Sequence, residues 1–140
     1  MSDAEDVMIV LDESECWVLL RSHSLGRLAA SAAGVIDIFP LNYYADGSTI
    51  LMRTTPGTKL VEMTIHSDVA FEIDDFTDEE AVSVVVKGTA EWLDTRSAIE
   101  EADRAPLVSW LPTLKYVYVR ITPTSVTGRR FVRGPEPERD

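Results

Sequence analysis

Two cations and three hydroxyl groups stand close together in Arg53-Thr-Thr-Pro-Gly-Thr-Lys59. That set suits an anion. An arginine can fork onto two phosphate oxygens, a lysine adds a point charge, and Thr54 or Thr58 can add a hydroxyl. With Thr55 as N-cap and Pro56 as the first helical residue, the amides of Gly57, Thr58 and Lys59 would point out of a helix start, which also favours negative charge. The glycine spacing and Lys-Ser/Thr pair of a Walker loop are missing. The same pattern also describes an ordinary capped helix with two solvated cations, which is the commoner case.

The remaining chemistry-bearing residues are scattered. Asn42 fits either a binding site or a buried turn, because a buried amide must be paired. Tyr43 and Tyr44 alternate in a strand, so one of them belongs to the core. Trp110 lies in a proline-bracketed loop, where an aromatic plugs a core or an interface more often than it touches a ligand. Arg129 and Arg130 fit either a surface pair or a binding role. His23 and His66 fall at expected helix ends, where the helix dipole accounts for them. Cys16, on the apolar face of the first helix, is expected to be inert core, and no Ser-His-Asp or Cys-His set is apparent.

The chain has 140 residues and 45% hydrophobic residues, enough for one domain with one core. Its 13 basic and 24 acidic side chains give a formal charge of -11, which makes nucleic acid a poor partner. Any anionic ligand then needs a local cationic site. No apolar run is long enough for a bilayer, the N-terminus lacks an export pattern, and one cysteine allows no internal disulfide. The cytoplasm is the expected compartment. Residues 1–9 and 133–140 are expected to be flexible acidic tails around a single domain at 10–132.

These residues must be positioned by short elements. Asp12-Glu-Ser-Glu15 has capping-box spacing and predicts a helix over 13–22. Strands are expected over 28–33, 35–44 (interrupted or at an edge at Pro40), 49–54, 69–73 and 82–92, then 116–121 and 126–132 after a turn at Pro123. Asp46-Gly47 signals a hairpin, and Gly88 a bulge. Short helices are expected after Pro56 and, capped by Asp94 or Thr95, through Ala105. The order favours a mainly antiparallel barrel over a parallel sheet.

Six segments occur in a telling order: Gly26-Arg-Leu-Ala29, Phe39-Pro-Leu-Asn-Tyr43, Arg53-Thr-Thr-Pro-Gly-Thr-Lys-Leu60, Val69-Ala-Phe-Glu-Ile-Asp74, Ser83-Val-Val-Val-Lys-Gly88 and Val119-Arg-Ile-Thr-Pro-Thr-Ser-Val-Thr-Gly-Arg130. Together they resemble the pyridoxamine 5'-phosphate oxidase-like family of flavin-binding split barrels, over residues 10–131. The resemblance implies a six-stranded antiparallel split barrel with a few short flanking helices. It implies a homodimer with FMN in each of two clefts between protomers. Arg53, Thr54, Thr58 and Lys59 would hold the phosphate, while Pro40, Leu41, Asn42 and Tyr43 would line the isoalloxazine ring, partly by main-chain hydrogen bonds. Ser83 is a further contact, and Trp110 and Arg129 would come from the partner chain. The implied activity is FMN-dependent oxidoreduction of a small molecule. A deazaflavin coenzyme is the alternative cofactor, and a flavin- or haem-binding storage or sensor module the alternative function. True vitamin oxidases are longer and carry further basic and histidine positions that clamp the substrate phosphate, so the resemblance does not extend to that substrate.

Overall fold

In the computed structural model of the chain, residues 8–64, 67–112 and 116–138 are described. His66 lies outside them. In chain order the elements are β1 (Met8–Leu11), α1 (Glu13–Ser22), β2 (Leu25–Ala32), β3 (Val35–Ala45), β4 (Ile50–Thr54), α2 (Lys59–Met63), β5 (Ser67–Phe76), β6 (Glu80–Trp92), α3 (Arg96–Asp103) and β7 (Val117–Val132).

The strands form one antiparallel sheet in the order β1-β7-β4-β3-β2-β5-β6, and β6 pairs again with β7. Six strands therefore close a ring, as expected, and β1 is an added edge strand beside the second half of β7. β1 thus begins inside the segment 1–9. Met8 and Ile9 pair with Phe131 and Arg130, and the Arg133 amide donates to the Glu79 carbonyl at 2.8 Å.

Alternation sorts the side chains. Register partners share a face, so Leu28 with Phe39, Phe71 with Val86, and Met52 with Val119 fill the interior. Helix α1 closes one side, burying Cys16, Trp17 and Leu20, and starts with the predicted capping box: the Glu15 amide donates to Asp12 Oδ1 at 2.8 Å. Burial, followed by the charges of Asp12, Glu15 and Glu13, pushes the Cys16 thiol up, so it is inert packing.

Two expected breaks in the sheet are absorbed rather than obeyed. Pro40 lies within β3, but β4 pairs only with Tyr43–Ala45, so β3 has an open edge at Pro40 where a missing donor costs no ladder bond. β7 runs through Pro123 because the register with β6 shifts there, leaving Thr124 as the extra residue. Gly88 is where that bulge presses closest: a Cβ there would sit 2.3 Å from the Thr122 carbonyl oxygen.

Helix α2 starts three residues later than the sequence suggested. Gly57 has φ +79°, which suits a Pro-Gly turn and cannot continue a helix, so Thr58 rather than Thr55 is the N-cap. Its Oγ1 accepts from the Val61 amide at 3.4 Å.

Candidate functional site

On the outer face of the barrel, the ends of β2, β3 and β4 meet the loop that follows α3. They enclose a cleft of about 310 Å³ lined by Leu25, Pro40, Leu41, Asn42, Arg53, Ser109, Trp110 and Leu111. The register explains the meeting. Leu25 pairs with Asn42, and Tyr43 with Met52, so the next residue of β4, Arg53, stands beside Asn42.

Asn42 organises the wall. Its Oδ1 accepts the Trp110 amide at 2.9 Å, and its Nδ2 donates to the Ser24 carbonyl at 3.1 Å. Both ends of the amide are thereby fixed, with one N–H and one lone pair left over. Trp110 is 66% exposed and Leu111 is also exposed, so the loop offers the cleft a flat apolar side. The Arg53 guanidinium lies over the Tyr116 ring, 4.6 Å from its centroid. Among the described residues no carboxylate lies within ion-pair distance of Arg53.

Lys59 is placed differently. Its Nζ is 2.6 Å from Asp37 Oδ2, on the inward-facing register of β3, so its charge already has a partner. Thr54 is buried, with its hydroxyl 3.4 Å from that of Thr58. The segment Arg53–Lys59 is therefore divided. Arg53 faces the outer cleft, Thr54 turns inward, and Lys59 lies against Asp37.

The geometry sorts the remaining expected residues. Tyr43 is not a cleft residue: it points into the core, packs edge-on against Phe71 at 4.8 Å, and donates its hydroxyl to the Leu20 carbonyl at 2.6 Å. Burial pushes its phenol pKa up, so it stays a neutral donor. Trp110 lines the cleft of its own chain. Ser83 and Arg129 face one another across β6 and β7, where they line a separate hollow of about 200 Å³ with Val85, Thr127 and Gly128.

Sequence reasoning missed Leu25, Ser109 and Leu111 in the cleft, Tyr116 beneath Arg53, and Asp37 beside Lys59. Asp37 carried a signal, being the one carboxylate in Val35-Ile-Asp-Ile-Phe39. Tyr116 carried none, because its partner is fixed by the β4–β7 pairing. A larger hollow, about 440 Å³, lies elsewhere on the outer face, where Ala29, Ser31 and Ala70 leave the sheet bare. It lacks the convergence of a cation, a fixed amide and an indole that marks the cleft.

A six-stranded antiparallel ring with short flanking helices and a cleft on its outer face defines a split-barrel protein of the pyridoxamine 5'-phosphate oxidase type. The chain belongs to that family: the pyridoxamine 5'-phosphate oxidase model matches residues 12–130. It is similar to a Corynebacterium glutamicum protein given the provisional name pyridoxamine 5'-phosphate oxidase, with 43% identity and TM-score 0.86 over 97% of this chain and 99% of that one. It is also similar to the FAD binding protein of Mycobacterium smegmatis, with 42% identity and TM-score 0.82 over 90% and 100% of the two chains. An uncharacterized Mycobacterium tuberculosis protein is 46% identical over 93 residues, 66% of this chain and 84% of its own.

Proposed function

We propose that this protein is a flavin-dependent oxidoreductase acting on a small molecule, with FMN held on the outer face of the barrel. The observation that carries the reading is the polarity of the cleft. A guanidinium with no carboxylate partner among the described residues stands beside the apolar surface of Pro40 and Trp110. A planar ring joined to a phosphate has the same two-part chemistry. Arg53 would take the phosphate, and Lys59 would join it by sharing its charge between Asp37 and the ligand. The free N–H and lone pair of Asn42 would meet the polar edge of the ring. Bound there, the flavin would supply hydride or electron transfer, while the protein binds, orients and shields it.

FAD is the second cofactor reading, favoured by the FAD binding protein of M. smegmatis at 42% identity. The two share the ring and a phosphate next to the ribityl chain, so both use the same cleft.

A volume of about 310 Å³ is at the low end for organic ligands, so one protomer would enclose a flavin only in part. A second copy completes the site in this reading. The outer face carries Ile36 at 72% and Ile38 at 65% exposure beside small residues, which supports a two-fold interface. Such a pairing can bring the Ser83–Arg129 hollow of the partner over the cleft. Light scattering should give a dimer at micromolar concentration with flavin present, and a monomer would contradict it.

The enzyme reading is tested by reducing the flavin-loaded protein without oxygen and mixing it with oxygen and a panel of quinones. At least one acceptor should reoxidise it faster than it reoxidises free reduced flavin. Pyridoxine phosphate should not reduce the loaded protein. If every acceptor is slower than with free flavin while binding stays tight, the protein stores or senses flavin instead.

A further inference from the structure

Resting on the flavin-binding reading, we propose that Tyr116, with Asp103 behind it, is a positioning residue that presents Arg53 to the ligand phosphate. An unpaired arginine on a strand face samples many rotamers, and a phosphate site gains by having that freedom removed beforehand. Here the ring of Tyr116 lies under the guanidinium at 4.6 Å. A cation over an aromatic face is attracted by the ring while its in-plane N–H donors stay free for an oxyanion. A carboxylate partner would instead occupy those donors, as Glu72 and Asp74 do for Arg27.

The platform is itself held. Tyr116 and Tyr118 pack edge to face at 5.2 Å and 72°. Both hydroxyls turn to one oxygen, Asp103 Oδ1, at 2.7 Å from Tyr118 and 3.4 Å from Tyr116. Asp103 ends α3, which is anchored on the outer face by Ala102 against Leu51 and Tyr118. Arg53 and Tyr118 are direct partners in the β4–β7 register. The tyrosine pair therefore links a helix end to Arg53.

The test measures FMN and riboflavin affinity by quenching of flavin fluorescence in the full chain and in Y116L, Y116F, R53A and the Y116L/R53A double variant. Y116L should bind FMN roughly threefold to tenfold more weakly, with riboflavin changed by less than about twofold. Y116F keeps the ring face and should stay close to the parent for both ligands. In the R53A background Y116L should cause no further loss, because its effect passes through Arg53. Equal losses of FMN and riboflavin, or the same loss without Arg53, would make Tyr116 plain packing and overturn the proposal. An R53A variant that does not distinguish FMN from riboflavin would overturn the phosphate assignment itself, and this proposal with it. If Y116L does not fold, D103N carries the test: an FMN loss of about twofold to threefold that requires Arg53 supports the proposal, and unchanged FMN affinity overturns it.

Discussion

Inside the barrel, Leu28, Phe71, Ile73, Val84 and Val86 are almost fully shielded from water. On the outer face of the same strands, Ala29, Ile38, Ala70 and Val85 border an open hollow beside Arg27 and Glu72. One residue of offset separates the two surfaces, since a strand sends successive side chains to opposite sides. The inward set is complete in a single chain. The outward set has apolar area without cover and, at its edge, a cation without a carboxylate among the described residues. Stability is therefore carried by the first surface and recognition by the second, and substitutions on the two should have separable effects.

The largest effect belongs to the interior. Phe71→Ala removes a ring that packs on Tyr43 and should lower the unfolding free energy by about 3–5 kcal/mol in denaturant titrations. The protein that remains folded should still prefer FMN over riboflavin. Loss of that preference at moderate destabilisation would erase the distinction between the two surfaces.

A sharper comparison sets the two cations side by side. Among the described residues Arg53 has no acidic partner, whereas Lys59 already has Asp37, so their removal should not cost the same. Lys59→Ala should weaken FMN by about threefold to tenfold, less than the loss expected for Arg53. Asp37→Asn should tighten FMN, because a carboxylate beside a phosphate-binding ammonium competes for its charge. Equal losses at Lys59 and Arg53 would mean that the Asp37 pair opens freely.

The smallest effect is at the edge of the barrel, between α1 and β5. Burial opposes a charge on His23, but the Leu19 carbonyl and the Asp75 carboxylate outweigh it and raise its pKa. Its ring nitrogens lie 2.8 Å from the Leu19 oxygen and 3.0 Å from Asp75 Oδ2. Both partners accept, so only the imidazolium can donate to both. A raised folded-state pKa contributes stability that is complete below about pH 6.5, the ordinary histidine value, and fades as pH climbs through the raised one. His23→Gln should thus lower the thermal midpoint slightly at pH 6 and by less at pH 8. A penalty that grows with pH would reverse the assignment.

How much of this could be read beforehand follows from where each signal is stored. The α1 capping box, the Asp46-Gly47 hairpin and the long alternating strands are local patterns, and each appears where its spacing placed it. The start of α2 was misplaced because Thr55-Pro56 resembles a helix start unless Gly57 is known to adopt positive φ. Strand β1 was missed because Met8–Leu11 gains its pairing from residues 128–131, far along the chain. In the cleft, Pro40, Leu41, Asn42 and Arg53 were legible through the family pattern. Which of Tyr43 and Tyr44 enters the core was not legible, because one step along a strand reverses the face; Tyr43 does. The pairs Asp37–Lys59 and Tyr116–Arg53 depend on the barrel closing and have no local trace.

The central claim is that the outer cleft binds a flavin with its phosphate at Arg53. Titration of FMN, FAD and riboflavin into the full chain and into Arg53→Ala, followed by flavin absorbance and fluorescence, tests it most directly. The parent should bind FMN or FAD more tightly than riboflavin, and the substitution should reduce affinity for the phosphorylated ligand by about tenfold to a hundredfold. Riboflavin affinity should barely change. No flavin binding by the parent, or an equal loss for riboflavin and its phosphate ester, would contradict the assignment.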